Sequence, residues 1–561
     1  MKKNNLETPL KRFFHLLNLD KKDIFQVLLY AVFSGLVSLS LPLGIQSIIN
    51  LIQGGRVSLS WIILVVIIII GVTFNGVLKL MQLRITESIQ QKIFIRSSFE
   101  FVYRFTKIKH TSFNNIYPPE LSNRFFDTIT IQKSMSKLLL DYSEALLQML
   151  FGLLLLSLYH PFFIIFGMLL FVVLYCIFKF NFENGLKTSI KESNHKYNVA
   201  HWIQEIARNY IGFKNKPKTD FALSKNDALV LKYINSRETH FSIIKKQFIQ
   251  LIGIKVIITG GLLLIGGFLV INQQMNLGQF VAAEIIILFV INSVEKIIVG
   301  LETFYDLLTS IEKISQITEL ETEENYSIKN NTFCYKNIYY ELDALSYSHP
   351  DSTKKTLNNI SLKINQSDLI YLEGSNSSGK STLIRILAAI LEPKATMLYI
   401  NDTNIKKINL DQYRSQIGLI TIGQSIFEGT LIENITFNNP QITNEHIKHV
   451  LEKVNLTEYI RKLPNGLDER ILTDGKQLSS SVAQKILLAR AIITKPKVLL
   501  LEDPFDKMDE SQSKELIDFL CSKENSWTII VVSKNKYWKQ KCNRIITLDN
   551  GRLISDINTN V

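Results

Sequence analysis

Gly374-Ser375-Asn376-Ser377-Ser378-Gly379-Lys380-Ser381-Thr382 is the stretch from which the rest of the chain can be read. It fits G-x-x-x-x-G-K-[ST], a loop whose backbone N–H groups, with the start of the following helix, offer partial positive charge to phosphate oxygens. The apolar run Leu369-Ile370-Tyr371-Leu372 leads in, and a helical pattern over 383–391 leads out. Strand, glycine-bounded loop and helix are the context the motif needs. A plain glycine turn before a helix is the blander reading, and the complete pattern in this context outweighs it. Lys380 is expected to reach the β- and γ-phosphates of a nucleotide, and the Ser381 hydroxyl to ligate Mg2+. All nine positions, Gly374 to Thr382, are candidate nucleotide-binding residues.

Upstream of the loop the composition changes. The chain has 561 residues and a formal charge of +13. Six apolar segments, at 24–52, 61–81, 138–158, 162–180, 248–271 and 280–299, meet the ~20 residues needed to cross a bilayer. Pro42 should kink the first. The leader and the two long stretches between spans, 82–137 and 181–247, are rich in Lys and Arg, whereas the short connectors hold almost none. The positive-inside rule puts the leader, both long stretches and the C-terminal part in the cytoplasm. Six crossings agree with that, since they return the chain to its starting side. The basic excess is thus explained by topology, and no nucleic-acid partner is implied. The long stretches read as helical extensions of the spans beyond the bilayer. Residues 1–23 are too polar for a cleavable secretory signal. Cys176, Cys334, Cys521 and Cys542 show no metal or redox spacing and read as free thiols. Lys255 and Glu284, deep in consecutive spans, read as an ion pair across helices or as a cavity-lining pair. Lys79, Asp141, Glu144 and Glu295 lie nearer span ends and read as snorkelling side chains.

Together these features resemble the ATP-binding cassette exporters, in which six spans are fused to one nucleotide-binding domain. Met275-Asn276-Leu277-Gly278-Gln279-Phe280-Val281-Ala282 is similar to the family's sixth-span entry, and Glu120-Leu121-Ser122-Asn123-Arg124-Phe125 to its first intracellular loop. The likeness leans toward bacterial peptide- and toxin-secreting exporters; no protease-like extension precedes the first span, so the cargo-cleaving subtype is not implied. The resemblance implies an α-helical polytopic membrane domain followed by an α/β P-loop NTPase domain. Its divisions are a leader (1–23), a membrane domain (24–318), a linker (319–339) and a nucleotide-binding domain (340–561).

The resemblance also assigns roles, with departures. His349, with Tyr347 nearby, matches the aromatic that stacks on adenine. Ser377 stands where a glycine is usual. Ile422 falls at the position of a glutamine that senses Mg2+, with Gln424 two residues late. The signature helix begins Leu478-Ser479-Ser480-Ser481-Val482 instead of Leu-Ser-Gly-Gly-Gln; Ser479 keeps the hydroxyl. The carboxylate pair is Glu502-Asp503, in swapped order, so Glu502 would hold Mg2+ through water and Asp503 would be a poorly placed base. Asp509 matches a subunit-bridging aspartate, and Ser533 replaces a γ-phosphate-contacting histidine. ATP and Mg2+ are the implied ligands, with slow turnover. The resemblance implies ATP-driven export of a peptide, protein, lipid or drug across the cytoplasmic membrane by a dimer. That dimer is either a homodimer or a heterodimer with a second half-transporter, and a periplasmic adaptor would favour secretion. The alternative is an ATP-binding, weakly hydrolysing structural or regulatory half of a membrane complex.

Overall fold

The computed structural model describes residues 8–53, 59–113, 116–215, 219–323, 337–350, 352–393 and 397–559. The chain divides into two compact units: Met1–Lys107 with Ile116–Leu320, and Ile108–Asn115 with Glu321–Val561. Most of the expected linker, 324–336, and with it Cys334, lies outside the described residues; Cys176, Cys521 and Cys542 are free thiols.

The first unit is helical. It comprises α1 (Pro9–Leu19), α2 (Lys21–Ser38), α3 (Ser40–Gln53), α4 (Leu59–Lys107), α5 (Pro118–Ser122), α6 (Asp127–Lys137), α7 (Ser143–Tyr159), α8 (Phe162–Arg208), α9 (Tyr210–Lys214), α10 (Phe221–Ile271) and α11 (Leu277–Thr318). Among the described residues, six helical stretches are long and apolar enough to cross a membrane. The first is broken between Ser38 and Ser40, just before Pro42, whose ring cannot continue an unbroken hydrogen-bond ladder. α10 has 51 residues, about 75 Å of helix against a hydrocarbon core of about 30 Å. The spans therefore run on as helix well past the bilayer. Asn276 starts α11 with a capping box: its Oδ1 accepts Gln279 N–H at 2.7 Å, and Gln279 Oε1 accepts Asn276 N–H at 3.0 Å. α11 is the most enclosed span and α4 the most exposed, its outer face lined by Ile62, Ile63, Val66, Ile67 and Ile70.

The charges in the spans are paired differently from expectation. Lys255 binds Glu295 at 2.6 Å, not Glu284. Glu144 accepts from Lys79 at 2.6 Å and Gln148 at 2.9 Å, and Lys296 approaches it at 3.6 Å. Lys79, Glu144 and Glu295 are thus joined across helices rather than reaching separately toward water. The physical reason is cost: an apolar environment penalises a lone charge more than a neutralised pair.

The second unit holds β1 (Tyr340–Tyr347), β2 (Leu357–Ile364), β3 (Leu369–Gly374), α12 (Lys380–Leu387), β4 (Leu398–Ile400), β5 (Thr403–Asn404), α13 (Leu410–Arg414), β6 (Ile417–Ile420), β7 (Gly429–Thr430), α14 (Leu431–Thr436), α15 (Asn444–Lys453), α16 (Thr457–Arg461), β8 (Arg470–Ile471), α17 (Ser480–Ile492), β9 (Val498–Glu502), α18 (Glu510–Leu520), β10 (Thr528–Val532), α19 (Tyr537–Lys541), β11 (Arg544–Asp549) and β12 (Arg552–Asn558). Its main sheet runs β12-β11-β3-β10-β9-β6, parallel except for β12. β9 and β10 are buried along their whole length, as strands covered on both faces must be. A second, antiparallel sheet runs β2-β1-β4-β5. Residues 108–113 pack with this unit. Ile108 bridges Thr322, Lys109 N–H donates to Glu321 O at 2.9 Å, and Arg414 grips Glu323 with two contacts of 2.6 and 2.8 Å.

Candidate functional site

In a parallel sheet the ligand-binding loops leave the carboxyl ends of the strands. Here β3, β10 and β9 are neighbours, so three loops meet at one edge: the phosphate loop, Ser533-Lys534, and Glu502-Asp503. The loop of β6 joins them, because Ile422 N–H donates to Glu502 Oε2 at 3.2 Å.

The phosphate loop leaves β3 at Gly374 and enters α12 at Gly379, both with positive φ. A Cβ on Gly374 would lie 2.1 Å from Leu548 O, and one on Gly379 2.8 Å from Thr356 O. No other residue fits either place. Ser377, where glycine is usual, takes a left-handed φ of 63°. Lys380 Nζ donates to Gly374 O at 2.8 Å, Ser375 O at 2.7 Å and Ser378 Oγ at 3.1 Å. Its ammonium is therefore held over the mouth of the loop. Burial draws it below the usual ammonium range, against the opposing charge of Asp503. Ser375, Asn376 and Ser377 are exposed, Ser378 is buried, Ser381 is half-buried and Thr382 is buried in the first turn of α12. The loop has an outer fastening that its sequence did not signal: Ser375 Oγ donates to Asp549 Oδ1 at 2.8 Å, and Gly551 N–H to Ser378 O at 3.2 Å.

Glu502 is 3% exposed, and among the described residues its carboxylate accepts one hydrogen bond, from Ile422 N–H. A buried carboxylate with spare acceptor capacity, together with the Ser381 hydroxyl, is an oxygen donor set that suits Mg2+. Ile422 itself is 62% exposed and offers no side-chain ligand. Asp503 has a left-handed φ of 41°; its N–H donates to Val532 O at 2.8 Å, and its Oδ1 accepts Lys534 N–H at 3.1 Å. Burial raises its pKa above the usual aspartate range, and the Lys534 N–H and ammonium pull it back. Ser533 Oγ accepts Asn535 N–H at 3.1 Å, and its carbonyl accepts the Tyr371 hydroxyl at 2.8 Å.

Of the two rings near the end of β1, Tyr347 is in the core, whereas His349 is partly exposed, its ring edge-on to Tyr347 at 5.1 Å. Ser479 is the N-cap of α17, its Oγ accepting Val482 N–H at 3.4 Å. Ser480 and Ser481 form the first turn. Gln484, further along α17, donates to Asp506 and accepts Lys507 N–H at 3.3 Å, so it fixes the loop that follows Asp503. Asp509 caps α18 by position, with no side-chain capping bond.

Residues 357–506 match the sequence model of the ABC transporter family. The chain is 28% identical over 249 residues to a putative export ATP-binding/permease protein of Rickettsia typhi, covering 44% of this chain and 42% of that one. It is 24% identical over 304 residues to the transport/processing ATP-binding protein ComA of Streptococcus pneumoniae, covering 53% and 41%. The chain thus spans less than half the length of these relatives. A bacterial Atm1-family ABC exporter, whose structure was determined with ATP bound, superposes with a TM-score of 0.83 at 13% identity, covering 96% of this chain and 95% of that one. The chain carries an ABC-type ATP-binding domain and has the fold of an ABC exporter half-transporter. It is a multi-pass membrane protein.

Proposed function

We propose that this chain is one half of an ATP-driven exporter of the cytoplasmic membrane, with its cassette in the cytoplasm and a slow hydrolytic cycle. The observation that carries the reading is the intact phosphate loop, with Lys380 held at its mouth, on the same chain as six membrane-crossing helices. Backbone N–H groups of 374–382 and the Lys380 ammonium bind the phosphates, and His349 flanks the base. Ser381 and Glu502 hold Mg2+, which when bound offsets phosphate charge. Asp503 accepts a proton from the attacking water. Ser479, at the start of α17, faces the nucleotide of a second cassette, so function calls for a dimer, with a second copy or a different half-transporter. Cassette closure then switches the side to which the membrane cavity opens. The cargo is a peptide, protein, lipid or drug; the resemblance to peptide- and toxin-secreting exporters leans toward a peptide or protein.

One set of observations favours a second reading, a nucleotide-holding structural or regulatory half. Asp503 is tied to Lys534 N–H, Ser533 is too short to reach a terminal phosphate, and Ile422 is apolar. Protein purified into lipid separates the two. Vanadate-sensitive ATP hydrolysis that Lys380→Ala abolishes supports the exporter. Tight nucleotide binding with negligible turnover, with or without a partner half, supports the second reading instead.

A further inference from the structure

The turn between β11 and β12 lies against the phosphate loop. Strand β11 pairs in parallel with β3 up to the loop's first residue, with Leu548 opposite Gly374. The chain then reverses within Asn550-Gly551, since Asp549 already pairs with Arg552. Both turn residues take positive φ, 46° and 75°, and Asn-Gly is the pair that adopts such a two-residue hairpin loop most readily. The shape of the turn is therefore set by its own residues. It grips the phosphate loop at two points. Ser375 Oγ donates to Asp549 Oδ1 at 2.8 Å, and Asn550 Nδ2 donates to Asp549 Oδ2 at 3.0 Å, so each carboxylate oxygen has its own partner. Gly551 N–H donates to Ser378 O at 3.2 Å, and Gly551 O accepts Asn358 N–H of β2 at 2.7 Å. A Cβ on Gly551 would lie 2.4 Å from Thr356 O, so the turn is pressed against the start of β2 as well. Both gripped residues also seat the Lys380 ammonium, which donates to Ser375 O at 2.7 Å and to Ser378 Oγ at 3.1 Å.

We infer that Asp549 is a positioning residue for nucleotide binding: through Ser375 it fixes the phosphate loop, and with it Lys380, in the binding shape before a nucleotide arrives. The inference rests on the proposal that the cassette binds ATP. A loop ordered in advance loses less freedom on binding, and affinity rises by what is saved. The Asp549 charge itself opposes a phosphate, since like charges repel. Its contribution is the acceptor that holds Ser375, and an amide oxygen supplies the same acceptor without the charge. The effect is exerted on the whole loop, so ATP and ADP benefit alike.

The test measures ATP and ADP affinity of the full chain in lipid nanodiscs, without turnover, for wild type, Ser375→Ala, Asp549→Ala, the two combined, and Asp549→Asn. Ser375→Ala and Asp549→Ala should each weaken both nucleotides about three- to tenfold, as expected for one net hydrogen bond. The combined variant should lose no more than the single variants, because both break the same bond. Asp549→Asn keeps an acceptor for Ser375 and should bind within about twofold of wild type, or more tightly. Unchanged affinity in Asp549→Ala overturns the inference, as do losses that multiply in the combined variant. A loss confined to ATP also overturns it, because Asp549 would then act on the terminal phosphate and not on the loop. A loss matched by a lower melting temperature without nucleotide does so too, since the contact would then hold the fold together and not shape the site. If wild type binds neither nucleotide, the ATP reading beneath the inference fails, and the inference with it.

Discussion

Ser377 sits in the phosphate loop at a φ of 63°, a conformation in which its Cβ crowds the backbone. Left-handed backbone costs a residue with a side chain roughly 1–2 kcal/mol, and glycine almost nothing. Ser377→Gly should therefore stabilise the nucleotide-binding unit by about 1 kcal/mol, allowing for the extra freedom glycine gains when unfolded. Chemical denaturation of the full chain in detergent checks it, and a loss of stability would mean the Ser377 side chain has a role that the strain argument omits. Asp503 presents a sharper case, because the resemblance casts it as a base on a shortened side chain and its backbone has a left-handed φ of 41°. Asp503→Glu should raise ATP turnover if carboxylate reach limits the reaction; a flat rate shows that the swapped pair is not the bottleneck. The pH dependence has a definite sign. Burial raises the Asp503 pKa, and a base acts only when unprotonated. Turnover should then fall, as pH is lowered, through a midpoint above the ordinary aspartate value of about 3.9. A midpoint at or below that value would remove Asp503 from the role of base.

Elements decide what single residues cannot. Lys255 lies on α10 and Glu295 on α11, and they meet at 2.6 Å because the two helices pack side by side. Removing one partner leaves a charge without its counter-ion near the membrane, whereas removing both leaves only apolar packing. Lys255→Met should lower the melting temperature in detergent, and Lys255→Met with Glu295→Leu should restore most of it. Losses that simply add would show that the pair is not coupled. The same scale explains why the expected Lys255–Glu284 pair fails. Each residue turns a helix by about 100°, so a partner is chosen by the rotation and depth of both helices. Counting polar residues in two spans does not supply either quantity.

At the scale of the molecule, the six spans and the cassette's motifs were legible because each is written in contiguous residues. Twenty apolar residues in a row exclude most alternatives, and so does a nine-residue phosphate loop between a strand and a helix. We propose that the loops near Tyr117-Pro118-Pro119-Glu120 and Tyr210-Ile211-Gly212-Phe213, both in the helical unit, couple it to the cassette. The second proposed site, α9, exposes Tyr210 and Ile211. A cysteine at Ile211 should cross-link to cassette cysteines and react with a membrane-impermeant label only from the cytoplasmic side. Labelling from outside would overturn the orientation drawn from the basic loops.

Sequence by itself determined that this chain crosses the membrane, that residues 357–506 belong to an ABC-type ATP-binding domain, and that Gly374 to Thr382 lies between a strand and a helix. Hydropathy and backbone-specific glycines act locally, so a local reading suffices for them. Only the tertiary structure decided which charges pair within the spans and what Ile422, Glu502 and Asp503 bond to. Lys255 meets Glu295, Ile422 N–H caps Glu502, and Lys534 is latched to Asp503. Each of these contacts joins residues dozens of positions apart. Their partners are set by helix packing and strand order, which no one segment contains.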